Sequence, residues 1–112
     1  MSSSNVKKQL FEQFARVGKA LGSPHRLELL ELLAQSERTV EDLARLTGLP
    51  LANVSQHLQH LRRAALVKPR KVGLYVYYSL SSPVVSELLL AVQRIAESHL
   101  DEVDELVRSY LS

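Results

Sequence analysis

The chain has 112 residues, 46% of them apolar, no cysteine, and 14 Lys or Arg against 12 Asp or Glu. That length suits one domain with a small core, and no run of 18 apolar residues exists to span a membrane. The missing cysteines exclude disulfides, thiolate catalysis and thiol-ligated metals; isolated glycines exclude a phosphate-binding loop. No secretory leader is recognisable in "MSSSNVKKQLFEQ", so a cytoplasmic protein is the expectation.

Residues 5–21 place Val6, Leu10, Phe14, Val17 and Leu21 at steps of three and four, which predicts an amphipathic helix. In "LGSPHRLELLELLAQ" Ser23 can cap and Pro24 suits the first helical position. Leu29 and Leu32 make this second helix apolar on more than one side, which predicts a central place. "RTVEDLARLTG" reads as a short third helix capped by Thr39, with Asp42 approximating a capping box and Gly48 ending it. Pro50 opens the next helix, and two helices joined so tightly predict a helix-turn-helix whose "GLPL" turn is packed. "LVKPRKVGLYVYYSL" reads as a β-hairpin around Gly73, with Pro69 restricting its first strand to an edge. From Ser82–Pro83 a last helix carries an apolar stripe through Val92, Val103 and Tyr110, long enough to predict dimerisation.

Charge is unevenly spread. Residues 1–42 hold six acids and six bases, residues 87–112 six acids and two bases. Residues 43–86 hold Arg45, Arg62, Arg63, Lys68, Arg70 and Lys71 and no acid, so a polyanion would bind the middle third.

Projected at about 100° per residue, the fourth helix turns Val54, Leu58, Leu61 and Ala65 to the core. Ala52, Gln56, Gln59, His60 and Arg63 fall opposite, Asn53 and Ser55 flank them, and His57 and Arg62 mark the boundary. Amide and hydroxyl side chains hydrogen-bond base edges in a DNA major groove, and a recognition helix presents its N-terminal residues there. Arg62 and Arg63 would hold phosphates, which fix register. Lys68, Arg70 and Lys71, followed by Tyr75, make the hairpin a basic wing for backbone or minor groove. Tyr78 is expected to pack; alternation leaves Tyr77 open between packing and DNA. The predicted fold is mostly α with a small β-hairpin wing, in the order four helices, two strands, one helix.

The segments "LGSPHRLELLELL", "TVEDLARLTGL", "NVSQHLQHLRRAALV" and "GLYVYYSL" resemble the ArsR/SmtB family of winged helix-turn-helix repressors over nearly all of residues 10–82. The chain is also similar to the N-terminal part of members that carry a C-terminal rhodanese domain. The resemblance implies a homodimer, built on the first and last helices, that represses its own operon and leaves double-stranded DNA when an inducer binds. It implies DNA contacts at Ala52, Asn53, Ser55 and Gln56. The family's Cys-x-Cys sensor is replaced here by "VEDLARL", which excludes thiolate sensing. Its Asp-x-His pair falls on Ser82 and Val84, neither a useful ligand. His99 and Glu102 on the last helix form a His–carboxylate pair suited to Zn or Ni across a dimer axis. The alternative is packing of His99 in the dimer seam. Ser55 and His57 point to different sides of a helix, so a catalytic pairing fails and no enzyme is expected. The competing reading is a scaffold working with a separate sensor protein.

Overall fold

Ser23 begins the second helix as its neighbours predict, its hydroxyl accepting a hydrogen bond from the Arg26 amide at 3.3 Å with Pro24 in the first turn. In the computed structural model, which describes residues 3–111, the order is α1 (Ser3–Ala20), α2 (Pro24–Gln35), β1 (Arg38–Thr39), α3 (Val40–Thr47), α4 (Leu51–Arg63), β2 (Val67–Val72), β3 (Tyr75–Leu80) and α5 (Pro83–Leu111).

Each boundary has a local cause. Thr39 caps α3 by accepting from the Asp42 amide at 3.1 Å. Gly48 ends it in the left-handed region, φ 75°, where a Cβ is disfavoured. Pro50 precedes α4. Of the turn between α3 and α4 only Leu49 packs on the core; Gly48, Pro50 and Leu51 are exposed, so the packed turn expected from "GLPL" reduces to one side chain. A two-residue loop, Gly73–Leu74, joins β2 to β3, with Val72 opposite Tyr75. Gly73 at φ 60° supplies the positive φ that the first position of a type II′ turn requires.

The end of α4 corrects the helical wheel. Ala65 is exposed and has left the helix, at φ 62°, and Ala64 is buried in its stead. The Leu66 amide donates to the Leu61 carbonyl at 3.0 Å and the Ala65 amide to that of Arg62 at 2.9 Å. These two bonds are a Schellman closure, with alanine where glycine is usual. They swing the chain so that Leu66 and Val67 enter the core.

The sheet is antiparallel in the order β1-β3-β2, so Pro69 does lie on an edge strand. The two-residue β1 was not foreseen; it pairs Arg38 with Tyr78 and Thr39 with Tyr77. Two residues carry no readable alternation. The core is Leu29, Leu30 and Leu33 of α2, Leu43 of α3, and Val54, Leu58 and Leu61 of α4, closed by Tyr78 and Val85. The central place of α2 is as expected: it packs on α3, α4, α5 and β3.

Two helices stay largely outside this core. α1 reaches it through Val17 and Ala20 only, with Leu21 just beyond its end, leaving Val6, Leu10, Phe11 and Phe14 more than half exposed. Beyond Val92 every described residue of α5 is exposed. The radius of gyration is accordingly 17.5 Å, against about 13 Å for a compact domain of this length.

Candidate nucleic-acid interface

α4 carries no carboxylate, and its core side is set by Val54, Leu58 and Leu61, all fully buried. That anchoring leaves Ala52, Asn53, Ser55, Gln56, Gln59 and Arg63 exposed, as the wheel predicts. His57 is half-buried, as its boundary place implies, whereas His60, expected on the outer face, is half-buried too and Arg62, expected at the boundary, is exposed. Unlike α2 and α3, α4 has no side-chain cap at its start. Pro50, Leu51, Ala52 and Asn53 are all exposed, so the positive end of its dipole is open to an anion.

The histidines lie among cations. Burial holds His57 below the usual imidazole range, helped by Arg26, His25 and His60. Burial also lowers His60, with Arg26, Arg63 and Lys19 adding to the effect. The His25 and His57 rings approach to 5.8 Å between centroids. Arg26, not singled out in the sequence, is fixed by donating to the Ala20 carbonyl at 2.6 Å and the Lys19 carbonyl at 3.1 Å. It thereby serves carbonyls that the end of α1 leaves without helical partners.

Three contacts position the hairpin. Gln59 Nε2 donates to the Tyr78 hydroxyl at 3.3 Å, tying α4 to β3. Tyr78 is buried as expected, and Tyr75 is 55% exposed near the tip. Arg70 lies 5.2 Å from the centre of the Tyr77 ring, its cross-strand neighbour, which resolves the open question of Tyr77 toward packing beneath a guanidinium. Lys68 and Lys71 are exposed. Arg70 is not a free charge. It forms a two-pronged ion pair with Glu37, its Nε 3.2 Å from Oε2, which holds the Glu37 carboxyl below its ordinary range. The acid-free middle third is therefore met in space by two acids from outside it: Asp42, 3.4 Å from Arg45, and Glu37, delivered to Arg70 by the chain entering β1.

The expected metal pair stands apart from this face. His99 and Glu102 border a shallow hollow on exposed α5 with Arg94, Ile95 and Ser98. Among the described residues no three His, Cys, Asp or Glu side chains converge within one chain. No helix among them is long and apolar enough to cross a membrane.

Two short-linked helices, the second exposing an acid-free polar face, beside a basic two-stranded hairpin, define a winged helix-turn-helix domain. Residues 23–68 match the bacterial regulatory protein arsR family. Over 100 residues the chain is 44% identical to the HTH-type transcriptional regulator Rv0324 of Mycobacterium tuberculosis, covering 89% of this chain and 44% of that protein. It is 41% identical to the transcriptional repressor SmtB homolog of Synechocystis, covering 83% of this chain and 67% of that protein. The solution structure of the homodimeric winged helix-turn-helix DNA-binding domain Mb0332 of Mycobacterium bovis, a possible ArsR-family regulator, superposes with a TM-score of 0.83. Its identity is 43%, over 89% of this chain and 93% of that fragment. The chain belongs to the ArsR family of bacterial regulatory proteins. It spans less than half the length of Rv0324.

Proposed function

We propose that this chain is a sequence-specific binder of double-stranded DNA that acts as a homodimeric transcriptional repressor. The observation that carries the reading is the exposed, acid-free face of α4 beside a basic hairpin. Asn53, Ser55 and Gln56, with Ala52 allowing close approach, read bases; Gln59 and His60 border them. Arg62, Arg63, Lys68 and Lys71 hold phosphates, Tyr75 lies along the sugar edge, and Arg70 joins once released from Glu37.

Dimerisation follows from the two helices the core leaves bare. The stripe of α1 and that of α5, including Leu100, Val103, Leu106 and Tyr110, expose apolar surface that a second copy would cover. A two-fold pair would set two α4 helices into successive major grooves about 34–36 Å apart on a near-palindromic site. In this reading residues 3–111 work as one DNA-binding unit with dimerising helices at each end.

Selection of bound fragments from genomic DNA, followed by mobility-shift titration, tests this directly. Gln56→Ala is expected to weaken the selected site more than random duplex, and Arg63→Ala to weaken both. Failure of the wild-type protein to enrich any sequence would overturn the reading.

A further inference from the structure

At the C-terminal end of α4 the protein faces α1 across an open hollow of about 690 Å³, lined by Ala15, Arg16, Lys19, His60 and Arg63. Four of these five are bases or histidine and none is an acid, so an anion is the ligand this chemistry selects. Arg16 and Lys19 are three apart on α1, and His60 and Arg63 three apart on α4. Each pair therefore shares one helical face, and the two pairs look at each other across the gap.

Three exposed arginines elsewhere pair with a carboxylate: Arg45 with Asp42, Arg70 with Glu37, Arg108 with Asp104. Among the described residues the four lining this hollow have no such carboxylate partner. The nearest acid on α1, Glu12, lies one turn before Arg16 and outside the lining. His60 is held below the usual imidazole range first by burial, and the positive charges of Arg26, Arg63 and Lys19 add to the effect.

The hollow opens toward the base-reading face. His60 and Arg63 also border the adjoining depression formed with Arg26, Ser55, Gln56, His57 and Gln59. A backbone leaving the groove read by α4 can thus continue between α4 and α1. On α1, Arg16 and Lys19 lie away from the Val6, Leu10 and Phe14 stripe, so a dimer made through that stripe leaves them accessible.

We infer that Arg16 and Lys19, with His60 and Arg63, form a second phosphodiester-binding cleft that grips DNA flanking the half-site read by α4. The inference rests on the DNA-binding reading above and extends its footprint to α1. A chain of phosphates, rather than one free phosphate, fits because the cationic groups are divided between two helices along an open channel.

The test compares wild type with the R16Q/K19Q double variant on the duplex that wild type selects from genomic fragments. That duplex is used long, with its flanks, and again trimmed to the two half-sites. On the long duplex the variant is expected to bind about tenfold more weakly, with a log–log salt slope shallower by about two. On the trimmed duplex the two proteins should agree. The R16K/K19R variant should restore both affinity and slope, which separates charge from folding. Equal affinity and slope on the long duplex would overturn the inference while leaving DNA binding intact. A wild type that selects no sequence overturns both. In a parallel arm, inorganic phosphate is titrated at constant ionic strength and followed through the His60 ring resonances. Saturable binding there, with no effect of duplex length, would reassign the hollow to a free anion and sink the flanking-DNA claim; an unsaturated response supports it.

Discussion

The side-chain amide of Gln59, on the outer face of α4, donates a 3.3 Å hydrogen bond to the hydroxyl of Tyr78, whose ring is buried beneath β3. One end of this contact is in the core and the other borders the face proposed to read bases, so it fixes the angle between helix and hairpin. Tyr78→Phe keeps the ring and deletes the acceptor. Stability should fall by about 1 kcal/mol, measured by urea denaturation. Affinity for the selected site should fall several-fold, because Gln59 regains rotamers that binding must freeze. Unchanged affinity would show that Gln59 is not positioned for DNA by Tyr78.

Glu37 holds the arginine that the hairpin would otherwise offer to phosphate. Glu37→Gln removes the competing charge. The expected outcome is tighter binding to any duplex and a salt slope steeper by about 0.9, one additional phosphate contact. A slope identical to wild type would mean that Arg70 never leaves the hairpin surface.

His57 and His60 both titrate below 6.5 in the free protein. Between that value and their lowered folded values the unfolded chain binds more protons. Stability from these two groups is therefore present above pH 6.5 and lost as pH falls toward the folded values. A phosphate beside the rings acts oppositely, raising their basicity, so DNA binding takes up protons and affinity should rise as pH falls through the same window. Mobility-shift titrations across that range should show this rise, and H57Q/H60Q should flatten it. A wild-type profile as flat as the variant's would remove both histidines from the interface.

Ala65 occupies the left-handed position that closes α4, at φ 62°, with its side chain exposed. Ala65→Gly relieves that strain without removing a packed group, and should stabilise the fold by about 1 kcal/mol. Thermal unfolding at fixed protein concentration checks it; a lower midpoint would contradict the left-handed assignment.

Phe14 is 54% exposed on α1 and packs edge-on against Phe11, 5.4 Å between centroids. Phe14→Glu should leave the monomer folded, since the core does not use the side chain. It should convert a dimer into monomers by sedimentation equilibrium and weaken binding to a palindromic site. A wild type already monomeric at micromolar concentration would instead assign the bare α1 and α5 stripes to a different partner.

Much of the design is local and can be read along the chain. Ser23, Thr39 and Gly48 act on amides and carbonyls within a few residues, so the helix limits follow from residue type. The hairpin loop needs Gly73 for its φ. The outer face of α4 follows from the 3.6-residue period that buries Val54, Leu58 and Leu61. The same period misplaced Ala65, because it holds only while the helix lasts. The Leu66-to-Leu61 closure that ends the helix has no glycine to announce it.

What folding alone decided joins residues distant in the chain. Two residues of β1 pair with β3 and so bring Glu37 to Arg70, 33 positions away; charge counted by segment assigned that arginine to the free basic surface. Gln59 meets Tyr78 across 19 positions for the same reason. Nothing in the first helix's own pattern singles out Arg16 and Lys19; packing sets them opposite His60 and Arg63. Periodicity tells which way a side chain points from its own element. Only the packing of elements decides what stands on the other side.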